Sequence, residues 1–124
     1  MFGFGKKSAP KKQKMPDDPV AYTMLAVANM TNLDPTKLTD NLRDTVLKHT
    51  LVAVKDTNNK FDFCAYYMHY FSFVLCELAR SKNDAGWKEK SDRVLVAMGN
   101  FIEIEKANIS KATYNELKDY FDKC

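Results

Sequence analysis

The chain predicts an all-α fold: a single-domain bundle of four to five helices, wound around a central aromatic-rich third helix and preceded by a disordered basic N-terminal arm. Three observations lead there. Apolar residues recur at helical spacing through most of residues 18–124. Asp18-Pro19 and Asp34-Pro35 each set an N-cap residue beside a first-turn proline. Seven of the fifteen aromatic side chains crowd into residues 61–73, where each can bury about 150–250 Å². A chain of 124 residues has room for one core of ordinary size.

The arm is residues 1–17, MFGFGKKSAPKKQKMPD, and the bundle domain is residues 18–124. Glycine, proline and lysine dominate the arm, too little apolar surface to fold alone. Residues 1–14 carry five lysines and no acid, so of the chain's net charge of +3 the remaining 110 residues contribute −2. Lys6, Lys7, Lys11, Lys12 and Lys14 suit phosphate contacts with nucleic acid, held by counterion release. They also suit an anionic membrane surface, with Phe2 and Phe4 as shallow anchors. A short motif for a partner protein is the third use, and a solubilising tail the plain one. A purely solvating tail has no need of two phenylalanines.

The first helix is predicted from Pro19 to about Met30, with Val20, Met24, Val27 and Thr31 inward. Asn29 to Asn32 end it. The second opens at Asp34-Pro35 and runs to about Lys55, with Leu38, Leu42, Val46, His49 and Ala53 on one face. Leu47, Leu51 and Val54 form a second face, so burial should deepen toward its end, with His49 a core histidine. Its last turns, Thr50 to Val54, are also β-prone. Residues 55–60, KDTNNK, are a loop by composition.

The third helix covers Phe61 to Ala79 without glycine or proline, with Asp62 as cap or first-turn residue and Arg80 and Lys82 favoured by the dipole at its end. Its apolar positions exceed half the circumference, the pattern of a helix surrounded by others. The length approaches that of a membrane span, but Asp62, His69, Glu77 and Arg80 interrupt it with groups costly to bury in lipid. A fourth helix follows from residue 84 or 85 to Ala107, with Trp87, Ser91, Val94, Leu95, Met98, Phe101 and Ile102 inward and Asp92, Gly99, Asn100 and Glu103 outward. Ser110 caps the fifth, which ends near Lys123 with Tyr114, Leu117 and Phe121 inward; Ile109 and Tyr114 have hydrophobic-staple spacing.

Chemistry-bearing motifs are scarce. Cys64, His69, Cys76 and His49 look like a ligand set, but the three on the third helix point apart or sit two turns apart, too far for one zinc with bonds near 2.0–2.3 Å; no metal or cofactor is expected. Cys64 and Cys76 are about 18 Å apart by helical rise and cannot bond to each other. With no apolar signal segment, reduced thiols in a cytoplasmic protein are expected, Cys124 being exposed. No nucleophile elbow, phosphate-cradling glycine loop or zinc-protease motif occurs, so an enzyme is not expected.

One stripe of the third helix stands out. Tyr66, His69, Phe73, Glu77 and Arg80 mix aromatics with charges, the composition of protein interfaces. Tyr66 and His69 are neighbours at i,i+3, as are Glu77 and Arg80. Something must cover the aromatics: the last helix, a second copy of the chain, or another protein. The expected function is a small non-enzymatic interaction module (adaptor, chaperone-like or inhibitor) working through this helical surface, with a homodimer among the options. The alternative is nucleic-acid or anionic-surface binding through the lysine arm. A pocket for an apolar ligand along the aromatic helix is the third reading.

Overall fold

The computed structural model describes residues 15–33 and 40–123. Among them are five helices and no strand: α1 (Pro19–Thr31), α2 (Asp40–Ala53), α3 (Lys60–Lys82), α4 (Ala85–Ile104) and α5 (Lys111–Asp122). The all-α bundle holds, and α3 is its axis: α1, α2, α4 and α5 all pack on it. α4 also meets α1 and α5. Tyr67, Phe63, Phe71, Met68 and Leu75 of α3 are fully buried. The five lysines of the arm, the Asp34-Pro35 signal and Leu38 lie outside the described residues, as does Cys124.

The helix starts follow from their caps. Asp18 accepts from the Ala21 amide at 2.9 Å, with Pro19 in the first turn. Asp84 accepts from Gly86 at 2.9 Å, and Ser110 from the Thr113 amide at 3.4 Å. α3 starts one residue earlier than its pattern suggested. Asn59 is its cap, accepting from the Phe61 and Asp62 amides at 3.0 and 3.1 Å, and Asp62 stands in the first turn, one of the two places expected for it. Asn32 and Asn83 close α1 and α3 in the left-handed conformation, which asparagine tolerates better than most residues.

Three inward faces differ from expectation, each because a neighbour lies elsewhere. On α1 the buried side is Tyr22, Thr23, Ala26, Val27 and Thr31, while Val20 is exposed. The helix is rotated so that Tyr22 packs edge-on against Phe61 with ring centroids 5.4 Å apart, and Thr23 lies beside the Cys64 thiol. On α2, Val46 and Thr50 are buried, as is Val54 just past its end, but His49 and Leu51 are exposed and Val52 is 83% exposed. α2 leans chiefly on α3, so among the described residues one of its faces is covered and burial does not deepen toward its end. His49 is no core histidine; it stacks on Tyr70 at 5.5 Å from outside. On α4, Gly99 is buried, because α5 packs there: a Cβ at this position would come within 2.7 Å of the Phe121 ring.

Polar clasps tie the helices together. Ser91 donates to the Ser72 carbonyl at 2.6 Å, holding α4 close to α3. Arg93 donates to the Thr31 carbonyl at 3.1 Å, satisfying the end of α1, while it grips Glu89 on its own helix at 2.8–3.1 Å. Residues 15–17, counted with the arm above, touch the bundle: Met15 packs on the core, and Lys60 Nζ lies 3.3 Å from both the Pro16 carbonyl and Asp17.

Candidate functional site

α5 decides what becomes of the stripe on α3. Its first turn is fastened by Asp62, 5% exposed, whose carboxylate accepts from the Ser110 amide at 2.9 Å, the Ser110 hydroxyl at 2.8 Å and the Thr113 hydroxyl at 3.1 Å. One turn on, the Tyr66 hydroxyl donates to Glu116. Next, Tyr120 meets the His69 ring edge-on, centroids 4.2 Å apart. These pairs advance in the same sense along both helices, so α5 runs parallel to α3. Against α4 it runs antiparallel: Tyr114 donates to Glu103 at 2.6 Å, and Phe121 covers Gly99. α5 therefore fills the seam between α3 and α4.

It fills only part of that seam. α5 ends at Asp122, near Ser72, while α3 continues to Lys82 and α4 begins at Ala85. Ten residues of α3 beyond Ser72 leave about 15 Å of seam with no fifth helix over it among the described residues. The opening is a groove of about 620 Å³ lined by Phe73, Cys76, Leu95, Val96, Tyr120 and Phe121, with Ser72 and Ser91 also lining it. Arg80, Lys88 and Asp92 provide its charges.

The five stripe residues thus divide. Tyr66 is buried and His69 half-buried, both under α5. Burial and the Glu116 carboxylate push the Tyr66 phenol up, so it stays protonated and donates. Burial pushes the His69 imidazole down, opposed by Glu116, and its Nδ1 has no partner among the described residues. Phe73 is 48% exposed in the groove, and Arg80 lines the same groove. Glu77 holds Arg80 in an exposed ion pair at 2.5 Å, the expected i,i+3 contact, which raises the guanidinium further.

No family model, curated protein or solved structure matches the chain.

Sequence reasoning missed Val96 and Tyr120, 53% and 37% exposed at the groove. Their signal was present: Val96 falls outside the apolar face of α4, and Tyr120 adjoins the inward Phe121. Cys76 also lines the groove, whereas Cys64 is fully buried with its thiol pushed up by desolvation, and so unreactive. Among the described residues no three of His, Cys, Asp and Glu gather as a metal-binding group, and no helix is long and apolar enough to cross a membrane. What this arrangement offers chemically is an apolar slot with a charged rim.

Proposed function

We propose that the protein is a small interaction module that receives an apolar segment of another protein in the open half of the α3–α4 seam. One observation carries the reading: Phe73, Val96 and Tyr120 are left large, apolar and part-exposed around a single groove. Clustered exposed apolar groups mark contact surfaces, and aromatic anchors dominate their energetics. α5 supports the reading by example. It fills the first half of the seam with Leu117 and Phe121, the way an amphipathic helix lies in a groove.

The stripe proposed from sequence is thereby narrowed: Phe73 and Arg80 belong to the docking surface, Glu77 positions Arg80, and Tyr66 and His69 hold α5. Affinity capture with the wild-type chain and Phe73→Glu, compared by quantitative mass spectrometry, tests it. Proteins retained by the first and lost by the second support docking in the groove; identical sets overturn it. A second copy as occupant would appear as a doubled mass in solution under reducing conditions, reverting to monomer in Phe73→Glu.

A further inference from the structure

α5 is fastened unevenly along its length. The clasp on Asp62 and the hydrogen bond from Tyr66 to Glu116 hold its first half to α3. The second half rests on packing: Leu117 is buried, Tyr120 meets the His69 ring, and Phe121 covers Gly99. Its ion pair to α4 is long, with Lys118 Nζ 3.6 Å from Glu103 and both side chains exposed. We propose that the last turns of α5 are an acid-released latch: proton uptake by His69 lifts them from the seam and lengthens the open groove. The use of the latch rests on the groove being a docking surface, whereas the latch itself rests on the contacts of α5.

The surroundings of His69 give the sign of the effect. Its ring packs edge-on against Tyr70 of its own helix, centroids 4.6 Å apart, and against Tyr120 of α5 at 4.2 Å. Nδ1 is buried there with no hydrogen-bond partner among the described residues. In the imidazolium both ring nitrogens carry a proton, so the closed state would bury an N–H that nothing receives, which is costly. Glu116 of α5 favours the cation, but its carboxylate already accepts the Tyr66 hydroxyl. Tyr66 and Tyr70 on α3 are phenols that burial keeps protonated, and they bring no opposite charge. From α2, His49 stacks on Tyr70, one ring removed, at 5.5 Å.

Burial outweighs Glu116, so the covered imidazole holds a proton less well than a solvated one. Lifting the last turns lets water reach the ring, and acid therefore shifts the balance toward the lifted state. The groove gains by it. Tyr120 and Phe121 line one end of the opening, and their departure joins it to the part of the seam that Phe121 and Leu117 had filled. A longer apolar segment can then be received.

Hydrogen exchange of the full chain, followed by mass spectrometry and corrected for the intrinsic rate at each pH, tests the latch. Between about pH 7.5 and 5.5, protection of the α5 amides from Leu117 onward should fall by about three- to tenfold, the range for a lifted imidazole near its ordinary value and a covered one below it. These amides should be less protected than those of α1 at both pH values, because the last turns open without the rest of the bundle. His69→Gln should remove the fall, as should His69→Phe, which keeps a ring against Tyr120. His49→Gln should leave it intact. A fall of less than about threefold in the wild-type chain would overturn the proposal. So would the same fall in both His69 variants, which would make the carboxylates its cause, or equal protection of α5 and α1, which would mean that the bundle opens as one unit. If the fall is present while capture ignores Phe73, the docking reading fails and the latch stands; if capture depends on Phe73 and the fall is absent, the latch alone fails.

Discussion

Replacing Asp62 with alanine removes the acceptor on which the start of α5 hangs. The carboxylate takes three hydrogen bonds, from the Ser110 amide and from the Ser110 and Thr113 hydroxyls, at 2.8–3.1 Å. Bonds to a charged group contribute about 1.5–3 kcal/mol each, but burying a carboxylate costs several kcal/mol, which offsets much of that sum. In the variant one hydroxyl can donate to the other, at 2.9 Å in the native geometry, so the Ser110 amide and one hydroxyl hydrogen lose their acceptor. The net loss comes to about 2–4 kcal/mol. With a urea slope of about 2 kcal/mol/M, the middle of the usual range, the midpoint should fall by about 1–2 M. Asp62→Asn, which keeps one acceptor oxygen, should lose about half as much. Hydrogen exchange should show the loss locally, with α5 amides opening before those of α1. A midpoint within about 0.3 M of wild type, together with unchanged protection of α5, would refute the clasp.

Three further outcomes follow from the same seam. Tyr66→Phe removes the hydroxyl that donates to Glu116 and should cost about 1 kcal/mol in urea unfolding. Gly99→Leu drives side-chain atoms into the space held by Phe121 and should destabilise by about 1–3 kcal/mol, with thermal unfolding as the readout. His69 gives a pH dependence with a definite sign. Its folded pKa lies below the ordinary value near 6.5, so the unfolded chain takes up the proton first. Stability is then complete above about pH 6.5 and falls as pH drops toward the folded value, at no more than about 1.4 kcal/mol per unit. Urea midpoints between about pH 5.5 and 7.5 should show this slope in wild type and lose it in His69→Phe.

Much of this architecture was legible because it depends on local rules. Asp18 and Ser110 cap their helices as their positions imply, and the aromatic run from Phe61 forms the axis because no other segment has comparable apolar surface. What escaped was long-range. Asp62 looks like a cap for its own helix, yet its partners stand 48 and 51 residues away and nothing near it in the chain announces them. Gly99 and His49 were misplaced for the same reason: periodicity says which residues share a face, but not which neighbour covers it. At the candidate site, mixing aromatics with charges did flag Phe73. That α5 would shelter Tyr66 and His69 and stop short of Phe73 depends on helix lengths and direction in space, which only the fold supplies.

Phe73→Glu puts this picture to its sharpest test, because folding and docking should part company there. A half-exposed phenylalanine at a groove carries little of the core, so the urea midpoint is expected to stay near wild type, within about 0.5 kcal/mol of stability, while captured partners are lost. A variant that unfolds, or loses about 3 kcal/mol or more, would instead make Phe73 a core residue and leave no open half of the seam for anything to occupy.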